Sequence, residues 1–123
     1  MKTSPTQRSL KFLRDRGYTA QVVEKWNQFA KVRQDLFGFI DIVAIKPGIV
    51  GVLGVQTTSK AHLSDREKKA EKLETYKIWL ECGNKVWMMG WKKSGAKGKR
   101  KLWNCTIRTP DSGSWELLET PNL

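Results

Sequence analysis

A mixed β-sheet flanked by two helices, in the order α-β-β-β-α-β-β, is the fold class this sequence predicts. Three observations carry the prediction. Two segments open with helix-capping residues and close on glycine, two apolar runs have the length of strands, and Lys46-Pro47-Gly48 separates those runs as a turn. The 123 residues suit one domain, 1–123, with no internal repeat and no linker to divide it.

The first helix is expected over 5–16, with Ser4 as N-cap, Pro5 at the first helical position, Gln7 three residues past the cap and Gly17 as terminator. Tyr18 to Trp26 has the β-branched and aromatic content of a strand. Gly38 to Ile45 is apolar on both faces and reads as a buried central strand, paired across the turn with Ile49 to Thr58. Ser64-Asp65-Arg66-Glu67 has the form of a capping box. It opens a helix expected over 64–82, with an apolar stripe of Ala70, Leu73, Tyr76 and Leu80 and with Gly83 beyond its end. Lys85 to Trp91 is a further strand, and Leu102 to Arg108 its partner across a basic, glycine-containing loop. Trp115 to Leu118 has no assigned place.

Charge and counting narrow the chemistry. Lys and Arg number 23 against 12 acids, a formal charge of +11, which points to a polyanion and first to nucleic acid. Lys92, Lys93, Lys97, Lys99, Arg100 and Lys101 form the densest basic run, read either as a solubilising hairpin tip or as a phosphate contact. One histidine and two cysteines cannot build a four-ligand Cys/His zinc site. Neither a phosphate-binding P-loop nor a nucleophile elbow is present. No apolar run approaches the roughly 18 residues of a membrane helix. Residues 1–10 lack the apolar stretch of a signal peptide, so a cytoplasmic protein without membrane association is expected.

Asp41 stands out. It lies within an apolar run, where an unpaired carboxylate would cost several kcal/mol, so a backbone donor, a basic side chain or a metal must meet it. With a two- or four-residue turn at Pro47-Gly48, paired residue numbers sum to 95. Asp41 then faces Gly54, and Gln56 lies diagonally beside it on the same face, followed by Thr58 and Lys60. The other reading of Asp41 is a structural carboxylate paired with an arginine such as Arg33.

Phe39-Ile40-Asp41-Ile42-Val43-Ala44, followed by Gly54-Val55-Gln56, resembles the PD-(D/E)XK nuclease superfamily, in particular Holliday junction resolvases, VRR-NUC domains and uncharacterised phage and bacterial proteins of that group. The resemblance covers most of the chain. It implies a restriction-endonuclease-like αβββαβ core and hydrolysis of DNA phosphodiester bonds with Mg²⁺ or Mn²⁺. Asp41 would be the second-strand aspartate and Gln56 the second metal ligand, each holding the ion through oxygen. Thr58 occupies the position of the motif lysine, so Lys60, or Lys68 or Lys69 on the following helix, is the candidate replacement. Glu24 and Asp35 would supply a second carboxylate if the chain folds toward Asp41. Homodimerisation is implied by the junction-resolving relatives. The alternative is a nuclease-fold domain that has lost catalysis and binds nucleic acid or a protein.

Overall fold

The computed structural model describes residues 4–95, 98 and 100–118. Helix α1 (Pro5–Asp15) begins at its capping serine, whose Oγ accepts from Gln7 N at 3.1 Å, and Gly17 takes a φ of +88° after it. Strand β1 (Thr19–Val22) is followed by a small antiparallel hairpin, β2 (Lys25–Asn27) and β3 (Val32–Gln34), that stands apart from the main sheet. Next come β4 (Ile42–Ile45) and β5 (Leu53–Ser59). A 3₁₀ turn at Lys60–His62 and helices α2 (Leu63–Glu71) and α3 (Glu74–Glu81) lead to β6 (Lys85–Ser94), β7 (Leu102–Asp111) and β8 (Ser114–Leu118).

The main sheet runs β1-β4-β5-β6-β7-β8. Every junction is antiparallel except β5–β6, which is parallel because the helical crossover separates those two strands. Apolar residues cover both faces. Leu10 and Leu13 of α1 pack with Ile42, Val55, Trp87, Met89 and Ile107 on one side. On the other, Leu63, Ala70 and Tyr76 of the crossover helices pack with Phe39, Ile40, Val86 and Met88. Six successive residues of β5, Leu53 to Thr58, are buried, as a central strand covered on both faces requires. Among the described residues, no helix is long and apolar enough to cross a membrane.

The mixed sheet with flanking helices is therefore present, and four local expectations need correction. The strand expected over 18–26 breaks after Val22: Val23 N donates to Asp41 O at 2.8 Å, and the chain then leaves for the β2–β3 hairpin. The strand expected from Gly38 begins only at Ile42, because positive φ at Phe37 (55°) and Gly38 (87°) closes a tight turn on Leu36 O. The helix expected over 64–82 is two helices. Leu73 is extended between them, with its side chain against Gly38, while Tyr76 reaches Phe39 and stacks on Trp115. The capping box is not formed either: α2 starts at Leu63, and Glu67 is buried in an ion pair with Arg108 at 2.9 Å. The segment 115–118, unassigned from sequence, belongs to the edge strand β8.

Helix α2 docks through one close approach. A Cβ on Gly90 of β6 would lie 2.5 Å from Leu63 Cγ, and Leu63 is 1% exposed. Gly90→Ala is expected to cost about 1–3 kcal/mol by overpacking, read from the urea midpoint. Leu63→Ala should cost about 2–5 kcal/mol in the parent chain and distinctly less beside Gly90→Ala, because the cavity and the added methyl offset each other.

Candidate functional site

The hairpin register differs from the sequence expectation by two. Ile42 pairs with Val55, Val43 with Gly54 and Ala44 with Leu53, and the connection runs from Lys46 to Val52 rather than through a tight turn. Asp41 N donates to Val55 O at 2.8 Å, so Asp41 and Ile42 both oppose Val55 and form a bulge at the mouth of β4. Asp41 therefore does not face Gly54. Beside the bulge the Asp41 carboxylate meets β5: Oδ2 accepts from Thr57 N at 2.9 Å.

Asp41 is 4% exposed, and two further carboxylates join it. Glu24, just before β2, and Asp35, just after β3, each bring an oxygen so that all three groups lie within 4.8 Å of one another. The small hairpin is thus a fold-back whose two stems deliver acids to the same point. Gln56 completes the cluster by donating from Nε2 to Asp35 Oδ2 at 3.2 Å, which leaves its carbonyl oxygen available. Arg33 does not pair with Asp41; its Nη1 binds Glu24 Oε1 at 2.7 Å.

The electrostatics follow from this crowding. Burial, then the hydrogen bond to Asp35, raises Asp41 to about 9; Thr57 N pulls it down, while the Asp35 charge and Glu24 add to the rise. Crowding by two further carboxylates thus adds to burial in favouring the protonated form of Asp41 in the metal-free chain. An octahedral Mg²⁺ shell with ligands at about 2.1 Å separates its oxygens by about 3–4.2 Å. Glu24, Asp35, Asp41 and the Gln56 carbonyl have the hard-oxygen character that such an ion takes, and the three acids lie within 4.8 Å of one another.

Other expected site residues lie elsewhere. Thr58 is buried on β5 opposite Gly90. Lys60 does not continue the strand, because β5 ends at Ser59 and Lys60 is exposed on the 3₁₀ turn beside Lys92. Lys68 and Lys69 are exposed on α2, and none of these lysines forms an ion pair with the cluster among the described residues. Lys92, Lys93, Arg100 and Lys101 are exposed at the far end of β6 and β7; Lys97 and Lys99 fall outside the described residues. Trp103 lies among them, with the Arg8 guanidinium 3.5 Å from its ring centroid and Lys93 at 6.0 Å.

Sequence reasoning missed a buried polar link behind the cluster. Ser9 Oγ on α1 meets Thr57 Oγ1 at 2.7 Å and accepts from Trp91 Nε1 at 2.8 Å. Three residues of unremarkable type and wide separation left no signal. With this geometry in place, comparison with known proteins adds nothing: no protein-family profile, curated protein or solved structure matches the chain.

The raised Asp41 has a measurable consequence for stability. Its folded-state value lies above the ordinary carboxylate value of the unfolded chain. The unfolded chain therefore loses this proton first as pH rises. In EDTA, the associated stability is expected to be full below about pH 4 and to decline toward about pH 9, by at most about 1.4 kcal/mol per pH unit. Asp41→Asn should flatten that decline in chemical-denaturation curves and raise neutral-pH stability of the metal-free protein.

Proposed function

We propose that this chain is a divalent-metal-dependent DNA endonuclease with a restriction-endonuclease-like αβββαβ core. The observation that carries the reading is the convergence of Glu24, Asp35 and Asp41, with the Gln56 amide, at one end of a basic domain. The fold supports it: α1, the strands β1, β4 and β5, then a helical crossover to the parallel β6 follow the order that the resemblance to PD-(D/E)XK nucleases implies. Asp41 and Gln56 serve as ligands in this reading, joined by the two acids of the fold-back hairpin. Bound Mg²⁺ or Mn²⁺ would supply charge for the phosphate and a lower pKa for the attacking water.

The chain's own residues have separate tasks. Thr57 N fixes the Asp41 carboxylate, and Arg33 orients Glu24. A bound cation would offset the burial that raises Asp41 and favour its ionised form, the form that holds the ion through oxygen. Lys92, Lys93, Arg100 and Lys101 provide positive charge for the DNA backbone. A second reading, a nuclease-fold domain that binds nucleic acid without cutting it, is favoured by one observation: Thr58 stands at the position of the motif lysine, and Lys60 sits on the 3₁₀ turn, outside the cluster.

Cleavage of duplex, branched and single-stranded DNA with Mg²⁺ or Mn²⁺ tests the first reading. Asp41→Asn should lower the rate by roughly 100-fold or more while leaving DNA binding intact. DNA binding by the parent without cleavage under either metal would establish the second reading instead. In both, log affinity should fall linearly with log salt, and Lys92→Ala with Lys93→Ala should reduce the slope by about one for each phosphate no longer neutralised. Binding that is flat with salt would remove the nucleic-acid role.

A further inference from the structure

The β2–β3 hairpin does more than carry two acids. Phe29 at its apex is 100% exposed, Trp26 is 56% exposed and Val32 is 49% exposed. The Phe29 ring contributes nothing to the core, and the loop that carries it is held in shape. Asn27 Oδ1 accepts from Phe29 N at 2.9 Å and from Ala30 N at 3.0 Å, and Lys31 closes the turn with a φ of 57°. The aromatic tip is thus presented by a built turn.

Charge indicates the occupant. Residues 25–34 contain Lys25, Lys31 and Arg33 and no acid. Trp26 and Arg33 are directly paired across the hairpin and share a face, while Arg33 also anchors Glu24. An apolar tip flanked by cations suits a chain that offers flat rings and negative charge together, which is single-stranded DNA. Bases inside an uninterrupted duplex present their faces only to one another. With a rise of about 3.3 Å per residue, the apex stands roughly 10–15 Å from the carboxylates at the hairpin base.

We propose that the β2–β3 hairpin is a base-stacking finger that holds an unpaired nucleotide on Phe29 and Trp26 and lays the adjoining strand over the carboxylate cluster. The choice of DNA, and the direction of the strand toward the cluster, rest on the nuclease reading; the stacking itself does not. The finger makes single-stranded segments, rather than continuous duplex, the preferred substrate.

The test is fluorescence anisotropy in EDTA, where no cleavage occurs, with labelled oligothymidylate and a blunt duplex of equal length. Phe29→Ala is expected to weaken oligothymidylate binding by roughly 5- to 150-fold and duplex binding by no more than about twofold. Phe29→Trp should restore the preference, since it keeps a stacking ring. Phe29 has no packing to lose, so its substitution leaves folding intact, which circular dichroism checks. Unchanged oligothymidylate binding by Phe29→Ala would overturn the proposal. So would sedimentation showing a parent dimer that Phe29→Ala dissociates without altering DNA affinity, which would make the tip an interface between copies of the chain. A stacking effect without metal-dependent cleavage would uphold the finger and remove the nuclease reading; cleavage with no effect of Phe29→Ala would do the reverse.

Discussion

The buried carboxylate of Asp41 is the constraint on which this end of the molecule depends. An acid at 4% exposure demands donors, and the structure provides them by local distortion. Beside the β4 bulge Thr57 N donates to Asp41, while burial and the nearby Asp35 and Glu24 hold the Asp41 carboxyl well above its ordinary value. The break after Val22 and the fold-back hairpin are the backbone counterparts of that arrangement: without them Glu24 and Asp35 would lie far from the sheet. Local irregularity in an otherwise regular sheet thus marks the site. Stability is conceded there, because the like charges oppose one another in the metal-free state.

Much of the fold is legible in the sequence because its signals are local. Ser4 and Pro5 cap α1, Gly17 ends it, and the apolar runs around Ile42–Ile45 and Leu53–Ser59 give the paired central strands. The errors arise where tertiary packing overrides local preference. Ser64 to Glu67 has a capping pattern, yet the Glu67 carboxylate turns to Arg108 on β7 rather than to its own helix terminus. Leu73 continues a helical stripe in sequence, but extending there lets it cover Gly38 while Tyr76 stacks on Trp115. No window of sequence contains those partners.

The site is legible in part and for a definite reason. Asp41 is conspicuous because a charge in an apolar run needs explanation, and Gln56 follows from strand parity, which survives a register error of two residues because two is the period of a strand. The placement of Glu24 and Asp35 depends on whether the intervening chain folds back. That is decided by a hairpin whose turn is set by Asn27 and Lys31, a weak pattern beside the stronger strand signal of Tyr18 to Trp26. Strand alternation misplaces Lys60 because it runs one residue past Ser59, where the 3₁₀ turn begins.

The bond between Ser9 and Thr57, with Trp91 as second donor, has a mechanical meaning beyond its modest energy. Leu10 and Leu13 could slide over an apolar sheet at little cost, since greasy contact has no preferred direction. Hydroxyl and indole groups have direction, and a helix shifted by one residue moves about 1.5 Å along its axis and turns by about 100°. Such a slip would leave three polar groups stranded in the interior. The link acts as a locating pin: it gives α1 a single seat on the strand that carries Gln56, and so keeps the scaffold behind the acids from drifting.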